Sequence, residues 1–214
     1  MLLFLGLVLE EEFIINSIRM KGFMFNIVDD LRILNYFKVQ HRVCKNSTPV
    51  EISWSPSELG EIMICCDGAS LGNQSQAGAS VSFKDSNSRV LGALCVGLGW
   101  QTNFYAEVCA IIYGIILAKI FNVKKIYVHS DSMSCIQALQ KGELHWQLTP
   151  KWKMAYAFYN NVRYVHSYRE ANFTTDALAK QAYLLVEDSY EFYEGRRMFI
   201  LAVEWLGEVY YRFK

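Results

Sequence analysis

The segment Glu61-Ile62-Met63-Ile64-Cys65-Cys66-Asp67-Gly68-Ala69-Ser70 is apolar from Ile62 to Cys66 and then delivers an acid followed by a glycine. Successive side chains of a strand point to opposite faces. A run apolar at every position therefore predicts a strand covered on both sides, at the centre of a sheet. The strand is predicted over Glu61–Asp67, and Gly68–Ala77, with Gly72-Asn73 and Ser75, reads as a turn. Asp67 has no packing reason to close such a strand, because burying an ionised carboxylate costs several kcal/mol, on the order of 3–5, unless something compensates it.

Working outward, Gly78–Lys84 and Val90–Leu98 read as strands joined by the turn Asp85-Ser86-Asn87-Ser88, which makes a three-stranded antiparallel meander. Asn103–Phe121 carries apolar residues at 104, 108, 111, 112, 115 and 116, the period of a helix. Lys125–His129 is a short apolar strand reached by that helical crossover, hence parallel to the first strand. A helix follows over Ser132–Gln140, with Ser130 or Asp131 as its N-cap, and another over Lys151–Tyr159. Val162–His166 is a strand, and Thr174–Leu185 is a closing helix capped near Asn172 or Thr174. The predicted class is α/β, with a mixed five-stranded sheet of three antiparallel and two parallel strands flanked by helices.

Three further acids repeat the anomaly of Asp67. Glu107 lies inside Phe104-Tyr105-Ala106-Glu107-Val108-Cys109-Ala110, Asp131 ends Ile126-Tyr127-Val128-His129-Ser130, and Asp176 opens Ala177-Leu178-Ala179. In the predicted topology Asp67 and Asp131 emerge at neighbouring strand ends, where α/β sheets place ligands. Glu107 projects from the crossover helix, and Asp176, in the first turn of the last helix, can swing over the same spot. Singly, Asp131 reads as an N-cap, Asp176 as a helix-start acid favoured by the macrodipole, Glu107 as a solvated helix position and Asp67 as a turn initiator. Jointly they predict a cation site of hard oxygen ligands, suited to Mg²⁺.

Composition frames that reading. Of the 214 residues 52% are hydrophobic and 20% charged, enough for a packed core and unlike a disordered chain. Formal net charge is zero, yet residues 59–186 hold 11 Lys/Arg against 8 Asp/Glu. Once the four suspected ligands are set aside, the frame is basic and suits a polyanionic substrate. The six cysteines, at 44, 65, 66, 95, 109 and 135, follow no metal-binding spacing and read as small core residues in a reducing compartment. The apolar run Met1–Leu9 has no basic lead and no cleavage site, enters Glu10-Glu11-Glu12 directly, and is too short to span a bilayer. An intracellular protein, nuclear or cytoplasmic, is expected. Trp54-Ser55-Pro56-Ser57 reads as a linker. The expected division is an N-terminal extension and linker over 1–58, a catalytic domain over 59–186 and an aromatic-rich C-terminal tail over 187–214.

With these residues in place, the sequence resembles ribonuclease H type 1, in particular the ribonuclease H-like domain of plant proteins related to retroelement polyproteins. Asp67-Gly68-Ala69-Ser70-Leu71-Gly72-Asn73 resembles the family's first-strand signature, and Thr102-Asn103 followed by Ala106-Glu107 resembles the segment of its second acid. Ser130-Asp131-Ser132 matches the third acid. His166, Arg169-Glu170, Asn172, Asp176 and Leu178-Ala179 are similar to its closing box. The resemblance covers about residues 54–183. Thr175 stands where these relatives carry alanine, and Lys141–Asn160 holds only Lys141, Lys151 and Lys153 where some members carry a dense basic handle.

The resemblance implies hydrolysis of the RNA strand of an RNA–DNA hybrid. It implies two Mg²⁺ ions, with Mn²⁺ as an alternative, about 4 Å apart on Asp67, Glu107, Asp131 and Asp176. It gives His166 a role in proton transfer or product release, against the plainer reading of a surface histidine. It assigns substrate contacts to Ser70, Asn73, Thr102, Asn103 and Asn172, each of which also reads as a turn or cap residue. The expected partner is nucleic acid, with no membrane, and the expected state is a monomer. The competing readings are a non-catalytic nucleic-acid-binding or assembly module, and a 3′–5′ exonuclease. The second lacks its Asp-x-Glu, because Ala69 stands where that glutamate would be.

Overall fold

The computed structural model describes residues 28–39, 48–72, 74–197, 200, 204 and 208–213. It contains two compact units, Met1–Pro49 with Phe213–Lys214, and Val50–Arg212. In the first, helix α1 (Val28–Tyr36) carries an exposed Asp29–Arg32 pair at 3.3 Å.

The second unit is built on a six-stranded sheet. Its strands are β2 (Glu61–Ser70), β3 (Ser75–Lys84), β4 (Val90–Gln101), β5 (Lys125–Ser130), β6 (Asn161–His166) and β7 (Tyr190–Glu194), in the order β6-β5-β2-β3-β4-β7. β2, β3 and β4 form the antiparallel meander, and β5 and β6 run parallel to β2. Strands β1 (Pro49–Ser53) and β8 (Val209–Phe213) form a separate two-stranded sheet.

β2 is central, as its unbroken apolar run requires. Ile62, Ile64 and Cys66 enter one core layer, whereas Met63 and Cys65 enter another with Ile52, Trp54 and Tyr127. The first layer is covered by helices α2 (Asn103–Leu117), α3 (Met133–Lys141) and α4 (Thr149–Tyr156). The opposite face receives α5 (Phe173–Ala182), which packs Leu178 and Ala182 on Ala93 and Cys95 of β4. α2 is buried around most of its circumference, and Thr102 caps its start by accepting the Tyr105 N–H at 3.1 Å. The helix tightens into a 3₁₀ turn at Ala118–Phe121 and stops at Asn122, whose φ of 53° is left-handed. Asn103–Phe121 is the one described stretch long and apolar enough to cross a membrane by length, and 56% of it is buried within this fold, as in a core helix.

The structure departs from the sequence reading in three places. The hairpin between β2 and β3 is tighter than expected. Strand pairing continues through Gly68↔Ala79, Ala69↔Gly78 and Ser70↔Ala77, where a turn was predicted. Gly68 misleads because it serves close backbone approach rather than turning, as Gly78 also does within the strand that follows. A Cβ on Gly68 would lie 2.2 Å from the Glu107 nitrogen, and one on Gly78 would lie 2.3 Å from the Ala182 carbonyl carbon.

Second, the N-cap position of α3 is Ser132, not Ser130 or Asp131; Ser130 Oγ accepts the Ser132 N–H at 3.1 Å instead. Third, the sheet has six strands rather than five. The sixth, Tyr190–Glu194, comes from the segment read as a tail and pairs antiparallel with β4. It sends Phe192 to one core layer and Tyr193 to the other, while exposed Glu191 and Glu194 keep this edge charged.

Two buried polar groups shape the face that carries α5. Lys84 and Glu204 form an ion pair hidden from solvent. Glu204 also accepts the Thr174 N–H at 2.9 Å and the Thr174 hydroxyl at 2.7 Å, so it supplies the start of α5 with an acid from a distant part of the chain. His129 on β5 is 3% exposed, and burial together with the charges of Lys84 and Arg163 pushes it down to about 3, a neutral imidazole at physiological pH. The described cysteines, 65, 66, 95, 109 and 135, are free and buried, as expected of core residues; Cys44 lies outside the described residues.

Candidate active site

Asp67 sits within β2, paired with Ser80 of β3, rather than at a turn. Its neighbour Gly68 has no side chain, so α2 lies against the strand and Glu107 arrives beside Asp67 from the other layer. Asp131 follows the last residue of β5, which pairs with Cys66 just before Asp67. One carboxylate oxygen from each of Asp67, Glu107 and Asp131 lies within 4.8 Å of the others.

Asp67 and Glu107 are 2% and 6% exposed. Asp67 Oδ1, Glu107 Oε2 and Asp131 Oδ1 are all buried without a hydrogen-bond partner among the described residues. Carboxylates gathered this closely, each with an unpaired buried oxygen, cost heavily unless a cation joins them, and an all-oxygen donor set fits a hard divalent ion. Burial, then the charges of Asp131 and Asp176, raises Asp67 to about 8. Glu107 is pushed well up by burial and by Asp67, and Asp131 is raised by burial against the pull of Arg169.

Asp176, in the first turn of α5, is held differently. Arg169 Nη2 is 3.3 Å from Asp176 Oδ1, its Nε is 3.8 Å from Asp131 Oδ2, and Lys180 Nζ is 2.7 Å from Asp176 Oδ2. The fourth acid is therefore linked to the other three through a guanidinium. Sequence reading quoted Arg169 without giving it a role and did not use Lys180, although the four-residue spacing of Asp176 and Lys180 was legible as a helical ion pair.

His166 ends β6 with Nε2 3.0 Å from the Asp131 backbone oxygen, its ring edge-on to Tyr168. Asn172 is buried and committed to the protein. Its Nδ2 donates to the Cys66 carbonyl at 3.1 Å, and its Oδ1 accepts from the Thr175 hydroxyl at 2.5 Å. Ser80 Oγ donates to both the Asp67 and Thr175 carbonyls, at 3.2 and 2.9 Å, which stitches α5 to the strand of Asp67. Thr175, the departure from the relatives' alanine, is thus a working part of this joint. Ser70 Oγ bonds the Gln101 carbonyl at 3.1 Å, next to the helix cap Thr102 and the exposed Asn103. Those three form one rim, while Asn73 lies outside the described residues.

This electrostatic arrangement fixes a pH dependence. Asp67 and Glu107 bind protons more tightly folded than unfolded, so the metal-free protein loses stability as pH rises from the ordinary 3.8 of Asp67 toward about 8. Thermal denaturation in EDTA is expected to give a higher Tm at pH 5 than at pH 8. Glu107→Gln flattens that slope, and Mg²⁺ raises the pH 8 value by binding the folded state. A pH-independent Tm in EDTA contradicts the buried cluster.

A mixed sheet in this order, covered by helices on both faces and with carboxylates gathered where the parallel pairing of its two inner strands ends, defines a ribonuclease H-like domain. The chain belongs to the family described as reverse transcriptase-like, whose model matches residues 65–182. A curated Arabidopsis thaliana protein that carries a provisional ribonuclease H name is 30% identical over 139 residues, 63% of this chain. The chain spans about a fifth of that relative, 22% of its length. Ribonuclease H1 of Halobacterium salinarum superposes with a TM-score of 0.53 at 22% identity, covering 57% of this chain and 96% of that one. LC11 ribonuclease H1, isolated from compost by a metagenomic approach and solved with an RNA/DNA hybrid, gives 0.52 at 27% identity, over 56% and 95%.

Proposed function

We propose that this chain is a metal-dependent endonuclease that hydrolyses the RNA strand of RNA–DNA hybrids, with its catalytic domain over residues 59–186. The observation that carries the reading is the convergence of the Asp67, Glu107 and Asp131 carboxylates, each of which has a buried oxygen without a partner among the described residues. The LC11 relative solved with a hybrid supports the substrate class. Asp67, Glu107, Asp131 and Asp176 would hold Mg²⁺, or Mn²⁺ in its place. When bound, the divalent ions supply charge neutralisation at the phosphate and activation of water.

The protein's own groups do the rest. β2, β5 and α2 fix three carboxylates before substrate arrives, so little reorganisation is needed. Arg169 bridges Asp131 and Asp176 until a stronger cation competes for their oxygens. Ser70, Thr102 and Asn103 lie along the route of a strand approaching Glu107, and Asn73, outside the described residues, is given a substrate contact only by the family resemblance. Asn172 contributes through the joint it makes with Cys66 and Thr175, which sets where Asp176 stands. His166, anchored at the Asp131 carbonyl, handles a proton or eases release of product. The test is a gel assay with labelled RNA–DNA hybrid, double-stranded RNA and double-stranded DNA, each with Mg²⁺ and with EDTA. Cleavage of the hybrid alone, and only with Mg²⁺, supports the reading; no cleavage of any substrate overturns it.

His166→Ala is expected to lower the rate by at most about 10²–10⁴-fold, with a changed pH–rate profile and near-normal metal binding. Loss of Mg²⁺ affinity by calorimetry, as complete as in a carboxylate variant, would make His166 a ligand instead.

One observation favours a second reading, a nucleic-acid-binding module that does not cleave. Asp176 is already paired with Arg169 and Lys180, so one acid of the four is neutralised without any metal. That reading predicts hybrid binding in EDTA and no products in Mg²⁺.

A further inference from the structure

Behind the sheet, on the face opposite α2, lies a cavity of about 300 Å³ whose lining includes Trp54, Tyr127, His129, His166 and Tyr168, with Glu51 and Ser55 also contributing. We propose that this cavity is a binding site for a neutral, planar, nucleobase-type heterocycle. Its volume is at the small end of ligand pockets, room for one ring system and little more. Five aromatic rings in its walls favour a flat occupant.

The polar groups say more. Both ring nitrogens of His129, and Nε1 of Trp54, are buried with no hydrogen-bond partner among the described residues. Unpaired buried donors and acceptors are uncommon in folded proteins and costly to keep, so three of them on two residues that line one cavity point to a missing partner. A neutral imidazole presents one donor and one acceptor, and the indole adds a donor. A heterocycle that carries both acceptor and donor edges, as every nucleobase does, answers that set.

Charge excludes the main alternatives. An aromatic cage commonly takes an ammonium group. Here the rings of Trp54, Tyr127 and Tyr168 already carry Lys84, Arg163 and Arg212, at 5.2, 4.2 and 5.0 Å from their centroids. A second cation would meet rings whose negative faces are engaged, beside like charges. A phosphate is equally disfavoured, because among the described residues no lysine or arginine lines the cavity and Glu51 does.

The cavity shares His166 with the candidate active site, through the bond of that histidine to the Asp131 carbonyl. The base can therefore come free in solution or on a strand held at the site. The proposal does not depend on cleavage, and its readout is binding alone.

The experiment follows the ring resonances of His129 and His166 by NMR in the whole protein. Adenosine, guanosine, cytidine and uridine are titrated singly to millimolar concentration, followed by a hybrid with one unpaired overhanging nucleotide. Saturable shifts at both histidines with a nucleoside support a free base, and shifts only with the overhang support a strand-borne one. Tetramethylammonium is expected to leave both unchanged. His129→Phe, which keeps the ring and removes both nitrogens, should weaken binding by about tenfold or more. Ser55→Trp places a bulky group at an exposed lining position away from the core and should abolish binding, even if the His129 variant fails to fold. Silence from every nucleoside and the overhang, equal shifts with tetramethylammonium, or undiminished binding by Ser55→Trp would overturn the proposal.

Discussion

Asp67→Asn is expected to lower hybrid cleavage by at least about 10²–10³-fold, the scale set by removing one preorganised electrostatic group from an active site. The same variant should be more stable than wild type in EDTA. Asp67 is 2% exposed, its Oδ1 has no hydrogen-bond partner among the described residues, and burial, joined by repulsion from Asp131 and Asp176, pushes its carboxyl up to about 8. An amide of the same shape removes that repulsion. Activity lost while Tm in EDTA rises is a pairing that misfolding cannot imitate. Cleavage at wild-type levels by this variant would sink the proposed function.

Gly68→Ala is the second large effect, and it acts through the backbone. The added methyl would lie 2.2 Å from the Glu107 nitrogen, 2.4 Å from the Ala106 carbonyl carbon and 2.7 Å from the Glu107 Cα. All three are main-chain atoms of the helix that carries Glu107, so no rotamer change relieves the clash. Either α2 moves off β2 or the strand bends. The expected loss is about 1–3 kcal/mol of stability, the usual cost of overpacking a core, with cleavage falling well beyond what that destabilisation explains. Urea denaturation and the hybrid assay measure the two parts. A variant with native stability and activity would show that strand and helix are not in contact where Glu107 enters the site.

These two substitutions also show which parts of the fold could be read from residues. Asp67, Glu107 and Asp131 were legible because each acid interrupts an apolar run, and the crossover rule then brings their elements together. The strand that begins at Lys125 was placed beside the first strand by the same rule, and β2 and β5 pair in parallel. Gly68 was misread as a turn residue because a local window cannot tell a glycine that turns the chain from one that admits a second backbone. Only the arrival of α2, from residues 106–107, makes the distinction. The bridging role of Arg169 and the part played by Glu204 were invisible for a related reason. Arg169 reaches Asp131, 38 residues away, and Glu204 reaches Lys84, 120 residues away, and no periodicity connects them. The sixth strand was missed because the Tyr190–Glu194 edge strand is largely exposed, so alternation left little trace there.

The buried pair of Lys84 and Glu204 bears on where a working fragment of this chain may be cut. The family match ends at residue 182, yet the acid that neutralises Lys84 and supports the first turn of α5 comes 22 residues later. A fragment ended at that boundary leaves the Lys84 ammonium, which the intact fold hides from water, without its counter-charge. Breaking one side of such a pair costs about 3–5 kcal/mol, comparable to the whole stability of many small domains. Expression of 50–186 should therefore give insoluble or molten protein where 50–212 gives a folded one, and Lys84→Met in the shorter fragment should recover part of the difference. In engineering terms, the terminal segment is a clasp: the residues after the last family helix close the fold that presents the acids.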